Sequence, residues 1–293
     1  MAYTTGTAAS MAELRSKIVA ACQSGGWSWD ATNEVIHGNG CFVQLTAQSA
    51  TVMALRGRTS VSGGVAATSP AYMCRNSNLG DWAWPVTYAV FCFEAEVFVI
   101  VNTQQDYYQW LAWGTSVFAA ALPGSGAWYA GSVYGTSFSS NSITSMYGGT
   151  NTSSNSYSTV SQYNCGLFWG AENGFVHHGI TPATPWAAGI GGCPLINDLI
   201  NVLPNNWNDE VVLLPVRKVG PVIQSRYALT LELQNARYTR NDWYDPGEIV
   251  TIGQDRWQIF PFFKKNSQYR NGTGSGGSNH SGTLAMAIRY DGT

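Results

Sequence analysis

A chain of 293 residues is long enough for one large or two modest domains, each able to bury its own core. Only 11% of its residues are charged, under half the usual share of about a quarter, whereas 12 Trp, 15 Tyr and 11 Phe favour strands over helices. A net charge of −2 excludes nucleic acid as the main partner, because phosphate binding needs clustered Lys and Arg.

The opening MAYTTGTAAS lacks the basic start and apolar run of a secretory signal, so synthesis and folding in the cytoplasm are expected. SMAELRSKIVAACQSGG then predicts a helix. Ser10 and Glu13 have capping-box spacing, Met11, Leu14, Ile18 and Cys22 form one apolar stripe, and Gly25-Gly26 supplies the stop. This helix is expected to pack across a sheet.

From Trp27 the period changes to two. CFVQLTAQ and ATVMALRG are strand-length pieces, and Asn39-Gly40 is a turn signal. WPVTYAVFCFEAEVFVIVNT predicts a hairpin that places Glu94 and Glu96 at a solvated tip. DYYQWLAWG fits a short helix or an irregular segment carrying Trp110 and Trp113.

From Tyr107 to Asn197 the only formally charged side chain is Glu172. Overlapping this stretch, residues 123–204 are rich in Gly, Ser, Thr, Asn and Tyr. Interspersed aromatics argue for an ordered region that covers or contacts something, since disordered segments are poor in them. Charge returns afterwards. EVVLLPVRKVG, RYALTLELQNARY, GEIVTIG, RWQIFPFF and TLAMAIRYDG are five strand candidates, separated by turn signals such as DPGE and GQDR. The basic FFKKNSQYR is too short for a nucleic-acid surface and reads as a solvated strand end or loop. The expected organisation is mostly β (α+β). An N-terminal α+β domain (1–122) sets one packing helix on a sheet, an uncharged contact region (123–204) follows, and a small C-terminal β-barrel or sandwich (205–293) closes the chain.

Motifs for chemistry are thin. No phosphate-binding loop, dinucleotide fingerprint, nucleophile elbow or zinc-protease motif occurs. NGTGSGGSNHSG has glycines but neither a Lys nor a following helix, and reads as a flexible loop. Cys22, Cys41, Cys74, Cys92, Cys165 and Cys193 lack zinc spacing and are expected to be buried, reduced thiols. Adjacent His177 and His178 point to opposite faces of a strand, so no metal site and no cofactor is expected. Asp81 and Asp106, each beside aromatics, are the carboxylates to weigh for sugar hydrolysis, but turn capping is the plainer role and no catalytic residue is assigned. Trp82, Trp84, Trp110 and Trp113 are candidate glycan contacts, with core or intersubunit packing the favoured role.

GTAASMAELRSKIVAACQSGGW, WPVTYAVFCFEAEVFVIVNTQQDYYQWLAWG and DPGEIVTIGQDRWQIFPFFKKN…HSGTLAMAIRYDG together resemble a group of virion structural proteins of tailed bacteriophages. The resemblance covers roughly residues 5–130 and 205–293. It implies a non-enzymatic virion component of the tail or baseplate, or alternatively a capsid decoration protein or a tail protein that binds a host receptor or surface glycan. The partners would be its own copies in a symmetric homo-oligomer and neighbouring virion proteins, without membrane insertion. Uncharged, aromatic-rich surface suits such contacts, because charge is depleted and Tyr, Trp and Phe are enriched at interface centres. Trp128, Tyr134, Phe138, Tyr147, Tyr157 and Tyr163 are the expected interface residues.

Overall fold

The computed structural model describes residues 1–64, 66, 70–75, 81–117, 126–132, 144–145, 148–149, 169–171, 175–177, 213–223, 226–240, 244–262, 265 and 284–292. The chain starts with strand β1 (Ala2–Ala8) and helix α1 (Met11–Ser24). Five strands follow: β2 (Ser28–Asp30), β3 (Val35–Gly38), β4 (Cys41–Ser49), β5 (Val52–Arg58) and β6 (Ala71–Cys74). Next come β7 (Val86–Cys92), β8 (Glu96–Gln104), β9 (Tyr107–Thr115) and β10 (Ala127–Gly131). Two short hairpins, β11 (Thr144–Ser145) with β12 (Gly148–Gly149) and β13 (Trp169–Ala171) with β14 (Phe175–His177), lie in the uncharged region. The C-terminal strands are β15 (Leu214–Ile223), β16 (Arg226–Arg240), β17 (Ile249–Ile252), β18 (Asp255–Pro261) and β19 (Leu284–Arg289).

The fold is mostly β, with one helix and three five-stranded antiparallel sheets among the described residues. The outer sheet is the meander β2-β3-β4-β5-β6, the central sheet runs β1-β7-β8-β9-β10, and the C-terminal sheet runs β15-β16-β19-β18-β17. All five C-terminal strand candidates become strands of that last sheet. The N-terminal part builds two sheets rather than one, and the C-terminal sheet is one layer of a sandwich whose other layer is the central sheet.

The central sheet is buried on both faces, which explains its nearly unbroken apolar sequence. Val90, Cys92, Val97, Val99, Leu111, Trp113 and Tyr129 point into a core shared with α1 and the outer sheet. The alternate residues Phe91, Phe98, Ile100, Trp110 and Trp128 point into a second core shared with Leu233, Tyr238, Phe260, Phe262 and Met286 of the C-terminal region. Rings mesh across that second core. Phe91 meets Phe260 edge-on at 5.9 Å, and Trp110 meets Phe262 at 6.0 Å. DYYQWLAWG is thus a strand, not a helix. Its aromatics alternate between two cores, and packing on two faces overrides the ambiguous local pattern.

Local signals explain the element ends. Ser10 Oγ accepts from the Glu13 N–H at 3.2 Å, and Glu13 Oε2 accepts in turn from the Ala9 N–H at 2.9 Å, a capping box reaching one residue further back. At the far end Gly26 adopts φ +92°, with the Gly26 N–H on the Gln23 carbonyl and the Trp27 N–H on the Cys22 carbonyl. That is a Schellman closure. Asn39 and Gly40 both have positive φ and join β3 to β4 in the two-residue hairpin that their types favour.

Candidate functional site

The residues singled out from sequence fall in different places. Trp110 and Trp113 are 1% and 0% exposed and sit in opposite cores, so they form no sugar-stacking platform; a strand sends residues three apart to opposite faces. Trp82 is buried with its ring 5.5 Å from half-buried Trp84, and Trp82 Nε1 donates to the Cys74 carbonyl. Trp128 belongs to the second core of its own chain, so its ring is withheld from any contact between chains. Tyr134, Phe138, Tyr147, Tyr157 and Tyr163 lie outside the described residues, as do Cys165, Cys193, His178 and His280. Asp81 is exposed and ion-paired to Arg75 at 3.1 Å, and Asp106 is exposed at the β8–β9 turn. Cys22, Cys41, Cys74 and Cys92 are buried free thiols; burial pushes Cys41 and Cys74 up to about 12, far from the reactive range. Among the described residues no three His, Cys, Asp or Glu side chains gather as a metal set, and no helix is long and apolar enough to cross a membrane.

Glu96 overturns its expected place at a solvated tip. It is 0% exposed, because the C-terminal sheet covers the end of the β7–β8 hairpin. Its two carboxyl oxygens accept from the Gln234 N–H (2.8 Å), the Asn235 N–H (2.8 Å) and Asn235 Nδ2 (3.0 Å). Burial raises its pKa from 4.5 to about 7, against the opposing pull of these donors and of the Arg237 charge. Beside it, Ser116 Oγ accepts from the Glu232 N–H at 3.0 Å, stitching the end of β9 to β16. Nothing in the spacing of Glu96 signals this role, since its partners stand about 140 positions away.

The other feature is a cleft. It lies over one end of β1, β7, β8 and β9. Cross-strand register sets Thr7 opposite Thr87, Thr87 opposite Asn102, and Asn102 opposite Tyr108, a polar row over four strands. The facing wall comes from the β17–β18 side: Pro246, Gly247, Gln258 and Phe260. Together with Tyr3 and Thr5 these residues line a cleft of about 420 Å³, and none of its described lining side chains carries a formal charge. Burial raises the pKa of both Tyr3 and Tyr108, so their hydroxyls stay protonated. Gln258 is 8% exposed; its Nε2 donates to the Gly247 carbonyl at 2.8 Å, and its side chain also hydrogen-bonds the Tyr3 hydroxyl. A polar cleft of this kind can bind through hydrogen bonds, and its described lining holds no nucleophile–base pair. The row was invisible in sequence because its members come from separate strands; the alternation Tyr3, Thr5, Thr7 in AYTTGTA was the one local sign.

No family model matches this sequence, and no curated protein matches it.

Proposed function

We propose that this chain is a non-enzymatic structural component of a bacteriophage virion, placed in the tail or baseplate and working as a symmetric oligomer among neighbouring virion proteins. The resemblance of both ends to virion structural proteins supports the virion assignment. The low charge supports assembly, because an uncharged surface can be buried without the desolvation penalty of ions. Among the described residues, the thiols and Glu96 are enclosed in packing and Asp81 is held by Arg75, which suits a non-catalytic role.

The observation that carries the assembly reading is strand β17. It is the last strand of the C-terminal sheet and, among the described residues, pairs only with β18. Its Ile249 and Ile252 are 39% and 40% exposed, two of the few large apolar side chains open to solvent among the described residues. An apolar edge strand offers unpaired backbone and hydrophobic surface to another strand, and proteins that work alone normally blunt such edges.

The test is a cryo-EM reconstruction of purified particles. The expected result is density for this chain at the tail end, with β17 against a neighbouring chain. Absence of the chain from the particle overturns the virion reading, and β17 facing open solvent in the particle overturns the edge contact.

A further inference from the structure

We propose that the cleft between the central sheet and the β17–β18 hairpin is a binding site for a neutral saccharide. The proposal stands on the cleft itself and does not depend on the virion reading. At about 420 Å³ the cleft falls within the ~300–1,000 Å³ range of small-ligand sites.

Charge sets the ligand class. The described lining is uncharged, and the formal charges that act on it through Tyr108 are the carboxylates of Asp106 and Asp245. A phosphate, sulfate or uronate entering here would lose hydration, find no cation among the described lining residues and meet two like charges. A neutral ligand meets none of these costs.

Hydrogen-bonding capacity then narrows the class. Thr87 and Tyr108 offer hydroxyls that donate and accept, and Asn102 between them, its Nδ2 held by the Gln105 carbonyl and its side chain hydrogen-bonded to Tyr108, offers its remaining acceptor capacity. They are spread across adjacent strands about 4.8 Å apart, a spacing that suits a ligand with hydroxyls on successive ring carbons. On the opposite wall Gln258 is oriented by its bond to the Gly247 carbonyl, since a reversed amide would set oxygen against oxygen there. The Gln258 side chain also hydrogen-bonds the Tyr3 hydroxyl, so this wall meets a ligand with a Gln–Tyr polar pair whose oxygens keep lone pairs to accept from a ligand hydroxyl. The partly exposed ring of Tyr3, backed by buried Phe260, gives the cleft apolar surface against which the C–H face of a pyranose can lie.

The experiment is saturation-transfer-difference NMR on the full chain, with methyl glycosides of glucose, galactose, mannose and N-acetylglucosamine as probes and glucuronate as the charged comparator. At least one neutral glycoside is expected to bind saturably with Kd on the order of a millimolar, and glucuronate at least about tenfold more weakly. Thr87 is solvent-exposed, so Thr87→Val leaves the fold intact, and Tyr108→Phe keeps the ring. Each is expected to weaken the bound glycoside by about three- to tenfold, one hydrogen bond's worth. Three outcomes overturn the site: no saturable binding of any neutral probe, glucuronate bound as tightly as the best of them, or both variants binding like the wild type. Unchanged far-UV and near-UV circular dichroism of the variants ties a loss to the cleft.

Discussion

At the Glu96 joint, burial and hydrogen bonding act on one carboxyl in opposite directions. Three N–H donors and Arg237 favour the anion, desolvation favours the acid, and desolvation prevails, leaving the group near 7 instead of 4.5. The folded chain therefore holds a proton that the unfolded chain releases at lower pH. This contribution to stability is fully present below about pH 4.5 and is lost as pH rises through about 7, a change of up to about 3 kcal/mol. Denaturant titrations across that window are expected to show the decline in the wild type. In Glu96→Gln, which has no proton to release, the decline should flatten. A slope as steep in the variant would assign the titration to another group.

Among the elements, α1 depends on how its end meets the central sheet. Gly25 stands where a Cβ would come 2.3 Å from the Cβ of Cys92 on β7, and the Trp27 just beyond is buried with Nε1 donating to the Phe93 carbonyl at 2.9 Å. The helix thus stops at Gly25-Gly26 for two reasons. The turn needs a positive φ at Gly26, and the sheet leaves no room for a side chain at Gly25. Gly25→Ala forces β7 and the helix apart, an overpacking cost of about 1–3 kcal/mol. Thermal melts should show a Tm several degrees lower; an unchanged Tm contradicts this packing.

Across the whole molecule, the central sheet joins the two ends of the chain, because each of its faces completes a different core. Phe91, Phe98, Trp110 and Trp128 are covered by residues more than a hundred positions away. Each such side chain contributes roughly 1.5–3 kcal/mol when buried. A fragment of residues 1–132 keeps the outer sheet, α1 and the central sheet but uncovers that second face. It is expected to bind an apolar dye and self-associate, whereas the full chain does not bind the dye. A fragment that stays monomeric with native near-UV circular dichroism would show that the N-terminal part is independent after all.

Much of the local structure was legible in sequence. The helix with both its ends, the Asn39-Gly40 hairpin and the five C-terminal strands follow from capping, turn chemistry and period, all of which act over a few residues. The mostly-β character follows from composition in the same way. What sequence left open depends on neighbours from distant positions. DYYQWLAWG became a strand because two cores claim its alternate side chains, and Trp110 and Trp113 were removed from any shared surface for the same reason. Glu96 changed from a solvated tip to a buried joint because Gln234 and Asn235 fold over it. The Thr87–Asn102–Tyr108 row exists only through strand register, which is set by the pairing of whole strands and by no single residue.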